Sequence, residues 1–100
     1  INTYILNHLT EDLSVDRLCE HLHLSRRKLY EYSEEFLHCS IAKYIKKMRL
    51  QYAQTLLTKT ILPISTISEQ CGFSDYNYFC RVFKQENGMS ARSYRTAQQT

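Results

Sequence analysis

Arg27, Tyr30, Glu31 and Glu34 follow one another at spacings of 3, 1 and 3, the intervals at which side chains share one face of an α-helix. Fifty positions later the spacing recurs in Asn77, Cys80, Arg81 and Lys84. Arginine can grip guanine O6 and N7 with both arms, asparagine pairs with adenine, and glutamate accepts from cytosine N4. Two such faces could therefore read base edges in a major groove. A charged face is also the ordinary surface of a solvated helix, so the pattern needs independent support.

Charge placement supplies some of it. The chain carries a net +3, distributed unevenly. Residues 1–25 hold Glu11, Asp12, Asp16 and Glu20 against a single Arg17, and every other cation lies downstream. Arg26, Arg27 and Lys28 fall in the first turn of a predicted helix, where the macrodipole disfavours positive charge. A phosphate backbone nearby would supply the missing negative charge. Such clustering is the footprint expected of a polyanion-binding surface.

Other chemistries find little footing. The cysteines at 19, 39, 71 and 80 show no CxxC or CxxH spacing, so a zinc framework is not expected. Cys19, His21 and His23 would point to different sides of a helix and could not converge on one ion. Reduced thiols, no metal and no cofactor are the expectation. A thiol redox sensor would need an exposed cysteine of low pKa, and Cys80 is the one placed on an exposed face. No nucleophile–base pair, glycine-rich phosphate loop or paired carboxylates with a shared task are present, which argues against an enzyme. Glu34-Glu35 reads as solvated helix surface. No apolar run approaches the length of a membrane span, and no signal peptide opens the chain.

The elements that must position the two faces follow from composition and repetition. One hundred residues, 43% apolar and 23% charged, with two glycines and one proline, read as one ordered, helix-rich domain over 1–100. Because the chain begins at Ile1 rather than Met, it reads as a fragment of a longer protein. Its halves align. At an offset of 49, Val15, Leu18 and Leu22 fall on Ile64, Ile67 and Cys71, and His23-Leu24-Ser25 falls on Gly72-Phe73-Ser74. At an offset of 50, Leu29, Tyr32, Ser40 and Tyr44 fall on Phe79, Val82, Ser90 and Tyr94.

Each copy reads as helix, tight turn, helix, which is the helix-turn-helix unit. The first spans about 15–36, with Ser14 and Ser25 as caps and a buried stripe of Leu29, Tyr32 and Phe36 on its second helix. The second spans about 64–87, opened by Pro63 and turned at Gly72. Phe79, Val82 and Phe83 form the buried face of its second helix. A linker helix over about 41–58 carries a stripe of Ile41, Ile45, Met48, Tyr52 and Leu56, widened by Ala53 and Leu57. With short helices near 4–9 and 91–97, the expectation is an all-α fold of about seven helices. A linker of about 18 residues would be roughly 27 Å long and could set the one-turn spacing, about 34 Å, of two reading elements on B-DNA.

The stretch Gly72-Phe73-Ser74-Asp75-Tyr76-Asn77-Tyr78-Phe79-Cys80-Arg81-Val82-Phe83-Lys84, followed by Gly88-Met89-Ser90 and Tyr94-Arg95, resembles the signature of AraC/XylS-family bacterial transcription regulators in their C-terminal DNA-binding domain. Arg49-Leu50 with Ala53 and Leu56-Leu57 resembles the family's linker helix, and the similarity covers nearly the whole chain. The resemblance implies two recognition helices entering successive major-groove segments. It places base contacts on Arg27, Tyr30 and Glu31, and on Tyr76, Asn77, Cys80 and Arg81. Arg26, Lys28 and Lys84 would hold the phosphate backbone. Implied partners are double-stranded DNA, RNA polymerase, and an upstream effector or dimerisation domain in the full-length chain. The implied location is the cytoplasm, on the nucleoid when bound.

Departures from the pattern concentrate in the first copy. The family's usual alanine is Cys19, its turn glycine is His23, its buried phenylalanine is Ser33 and its later glycine is His38. In the second copy Ser68 replaces the usual alanine and Ala91 the usual proline. A missing ring at Ser33 would cost about 3–5 kcal/mol unless Phe36 or Tyr32 refilled the space. The competing reading is a helical protein–protein interaction module without direct DNA readout.

Overall fold

Short polar residues start most of the helices. In the computed structural model, which describes residues 1–98, Ser25 Oγ accepts the Lys28 N–H at 3.1 Å and Ser40 Oγ accepts the Lys43 N–H at 3.1 Å. Fifty residues on, Asp75 Oδ1 accepts the Tyr78 N–H and Ser90 Oγ the Ser93 N–H, each at 3.1 Å. Each cap satisfies a backbone donor that the helix itself leaves unpaired. The described residues form seven α-helices and no strand: α1 Asn2–Asn7, α2 Val15–Leu22, α3 Arg26–Tyr32, α4 Ile41–Lys59, α5 Ile64–Gln70, α6 Tyr76–Asn87 and α7 Ala91–Gln98. A π-helical turn, Ser33–Leu37, extends α3. The chain divides into two compact units, Ile1–Met48 and the part from Arg49 onward. The division falls inside α4.

In the first unit, Ile5, Leu9, Leu13, Leu18, Leu29, Ile41 and Ile45 form the buried cluster. Here the expected stripe on α3 is corrected. Phe36 is 62% exposed, and it leans on half-buried Tyr32 with ring centroids 5.2 Å apart. The cause is the π-turn. The His38 N–H bonds to the Ser33 carbonyl at 2.8 Å, and a five-residue closure rotates Phe36 away from the core. Ser33, aligned with buried Phe83, is itself buried. Its hydroxyl donates to the Tyr30 carbonyl at 2.8 Å, so burial leaves no polar atom unpaired. Phe36 therefore does not refill the position.

Both turns of the first unit hold a histidine in the left-handed region, His23 at φ 55° and His38 at φ 57°. Their aligned partners are Gly72 and Gly88, at φ 93° and 74°. A Cβ at Gly88 would meet nothing within 4 Å, so the backbone angle alone favours glycine there. The left-handed conformation costs a non-glycine residue about 1–2 kcal/mol, and glycine gives back about 0.4–1 through unfolded-state entropy. His38→Gly should therefore raise stability by about 0.5–1 kcal/mol. Thermal melting by circular dichroism should show the increase; an unchanged or lower midpoint would refute the strain at this turn.

The second unit is built on aromatic packing. Phe79 stacks edge-on to Phe73 at 5.1 Å and tilts against Phe83 at 5.7 Å, and Tyr94 meets Phe83 edge-on at 5.6 Å. Leu50, Ala53, Leu56, Leu57, Ile67, Cys71, Val82 and Ala91 complete the cluster. Ser68 is buried and donates to the Ser65 carbonyl at 2.7 Å, so a hydroxyl takes an apolar site without an unmet bond. Cys71 is fully buried, and desolvation pushes its thiol up to about 12. It is a protonated core atom. The linker stripe needs one correction, because Tyr52 is exposed and Leu50 is buried. Ile41 and Ile45 serve the first core; Leu50, Ala53 and Leu57 serve the second. From Leu50 onward the buried line widens to Leu50, Ala53, Leu56 and Leu57, and Tyr52 among them is 40% exposed.

Arg95 is the half-buried cation of α7. Its Nε donates to the Leu57 carbonyl at 3.1 Å and its Nη2 to the Thr60 carbonyl at 3.4 Å. It closes the C-terminal end of α4, where unpaired carbonyls concentrate negative charge. Asn87 ties α6 to α4 by accepting from Gln54, and it donates to the Phe83 carbonyl at 3.0 Å.

Candidate nucleic-acid interface

Each unit sets a short first helix against a second through a left-handed turn, and the second helix carries the candidate face. On α3, buried Leu29 points inward, which leaves Arg26, Arg27, Lys28, Tyr30 and Glu31 exposed. Tyr30 is 64% exposed. The three cations of the first turn each have a carboxylate partner. Arg26 bonds Asp16 on α2, Arg27 Nε lies 3.2 Å from Glu31, and Lys28 Nζ lies 3.9 Å from the same carboxylate. These pairs are exposed, and an i,i+4 pair of this kind contributes only about 0.3–0.5 kcal/mol. A phosphate could displace any of them cheaply. The carboxylates, Asp16 included, thus offset the cationic first turn that the macrodipole disfavours.

On α6, Phe79, Val82 and Phe83 face the core. Asn77, Arg81 and Lys84 are exposed, together with Tyr76, while Cys80 is half-buried. Tyr76 and Cys80 are not independent. A side-chain hydrogen bond between them, with slight burial and the nearby thiol charge, raises the Tyr76 pKa above its usual value. Cys80 is no more available than Cys19 or Cys39, which are also half-buried, so nothing singles it out as a redox sensor. Tyr78, which the spacing rule passed over, carries the guanidinium of Arg81 with Cζ 5.3 Å from its ring centroid. Among the described residues no group of three or more His, Cys, Asp or Glu could hold a metal ion, and no helix is long and apolar enough to cross a membrane.

Two helix-turn-helix units, each with an exposed polar second helix, define a DNA-binding domain of the transcription-regulator class, which is not an enzyme class. The family model for a helix-turn-helix domain matches residues 18–97. The chain belongs to the AraC-type helix-turn-helix family. It is 37% identical over 93 residues to the HTH-type transcriptional activator RhaR of Salmonella dublin, a match covering 93% of this chain and 33% of that protein. The chain thus spans about a third of the length of the curated relatives it matches. An AraC-type transcriptional regulator from Chromobacterium violaceum superposes with a TM-score of 0.88 at 27% identity, over 97% of this chain and 87% of that one. The DNA-binding domain of AdpA, solved in complex with a target DNA, shares the fold with a TM-score of 0.87 at 24% identity, over 96% of this chain and 86% of that one.

Proposed function

We infer that this domain binds double-stranded DNA at a specific sequence, as the DNA-binding part of a bacterial transcription regulator. Each unit offers its own recognition helix to the major groove. The observation that carries this reading is the exposed face of α6, where Asn77 and Arg81 stand on a helix fixed from beneath by Phe79 and Phe83. Base contacts are assigned to Tyr76, Asn77, Cys80 and Arg81 on α6, and to Arg27, Tyr30 and Glu31 on α3. Backbone contacts are assigned to Arg26, Lys28 and Lys84. Contact with RNA polymerase, a partner effector or dimerisation domain in the full-length regulator, and action in the cytoplasm at the nucleoid belong to the same reading.

Salt separates this reading from a protein-interaction module. Phosphate contacts release counterions, so affinity for DNA should fall linearly on a log–log plot against salt, with a slope near −0.9 per phosphate neutralised. Fluorescence anisotropy with a labelled duplex measures it. Affinity indifferent to salt, or no affinity for any duplex, would favour the interaction module.

Glu31 gives a sharper expectation. It holds both Arg27 and Lys28 in the free domain, and a carboxylate beside phosphates repels unless it accepts from cytosine N4. Glu31→Ala should raise affinity for non-cognate duplexes and lower discrimination at one base pair. A loss of affinity on every sequence in the same binding assay would contradict the assignment.

A further inference from the structure

Tyr78 lies one step off the face shared by Asn77, Cys80, Arg81 and Lys84, yet its ring is in contact with the aromatic core. Its N–H is taken by the Asp75 carboxylate at 3.1 Å. Its ring, 40% exposed, tilts against Phe73 with centroids 6.2 Å apart. Phe73 is buried in the turn and packs edge-on to fully buried Phe79. Above the ring sits Arg81, Cζ 5.3 Å from the centroid. A continuous line of contacts therefore runs from the core through Phe73 and Tyr78 to one guanidinium.

The two recognition helices hold their arginines by different chemistry. Arg27 is held by the carboxylate of Glu31, which takes up its Nε donor at 3.2 Å. Arg81 makes no ion pair among the described residues. The aromatic face attracts the cation through its quadrupole and leaves the in-plane N–H donors unoccupied. A bidentate grip on guanine O6 and N7 requires those donors, aimed in one direction. A long side chain ordered before binding also loses less freedom when it binds.

We propose that Tyr78 is a positioning residue for base readout, holding the Arg81 guanidinium ready above α6 and so sharpening discrimination at the base pair that Arg81 reads. This rests on the assignment of Arg81 to a base. Tyr78→Phe keeps the ring and removes the hydroxyl; Tyr78→Leu keeps apolar bulk and removes the aromatic face.

Two measurements test the proposal on the same proteins. In NMR spectra of the free domain, the Arg81 side-chain protons should show an upfield ring-current shift in wild type and Tyr78→Phe that is lost in Tyr78→Leu. In binding, Arg81→Ala first identifies the base pair concerned. Discrimination there should fall about two- to fivefold in Tyr78→Leu, the range of an exposed cation–π contact. It should be preserved in Tyr78→Phe and not fall further when Tyr78→Leu is added to Arg81→Ala. Unchanged discrimination in Tyr78→Leu overturns the proposal. So does an equal loss in Tyr78→Phe, which would mean a direct hydroxyl contact, or a Tyr78→Leu effect that persists without Arg81. If Arg81→Ala alters discrimination at no base pair, the base-readout assignment falls and the proposal with it, even with the ring-current shift intact.

Discussion

Phe79→Ala should cost the second unit about 3–5 kcal/mol, because a fully buried ring is lost from a cluster with little means of collapsing around the gap. Phe79 touches Phe73 on one side and Phe83 on the other. Its removal loosens both the turn and the inner face of α6 at once. Marginal domains hold only about 5–15 kcal/mol in total, so the variant should show a large drop in denaturation midpoint. Recognition should fall with it, since Asn77 and Arg81 stand on the same helix. Urea denaturation followed by circular dichroism checks the first part, and binding to a duplex checks the second. A loss under 1 kcal/mol would mean that the aromatic cluster is not what holds α6 in place.

Arg81→Ala and Lys84→Ala should separate readout from anchoring. Both side chains are exposed on α6, so neither substitution should disturb the fold. Loss of a bidentate contact to guanine should cost about 1–3 kcal/mol on the cognate duplex and relax specificity at a single position. Loss of a phosphate contact should weaken all duplexes alike and reduce the salt slope by about 1. Titrating each variant against cognate and scrambled duplexes at several salt concentrations measures both quantities. Identical behaviour on specific and random DNA would refute the division of labour.

Much of the fold was legible because it is written twice. The offset near fifty pairs Leu18 with Ile67 and Leu29 with Phe79, and all four are buried. The caps at Ser25 and Ser40 recur at Asp75 and Ser90. Helical spacing also placed Arg27, Tyr30, Asn77 and Arg81 on exposed positions, since the same periodicity that buries one face exposes the other.

What stayed hidden is where the period itself changes. A π-turn inserts one residue without marking the apolar pattern, so Phe36, expected in the core, lies on the surface. Tyr52 is exposed for a different reason: α4 serves two cores, and in the second the buried positions are Leu50, Ala53, Leu56 and Leu57. Among functional side chains, Tyr78 carries no charge and sits off the polar face. Its part follows only from a ring lying between Phe73 and Arg81, a contact that no spacing rule reports. The pairing of Arg26 with Asp16 joins different helices and was equally invisible.

In vitro selection from a random pool of duplexes tests the central claim most directly. If the two second helices read bases, repeated rounds should enrich a defined motif in which preferred positions fall in two blocks, one for each helix. The Arg81→Ala protein should enrich the same motif with one position relaxed. A pool that gains affinity without gaining any preferred sequence, or that yields no bound DNA at all, would contradict the account.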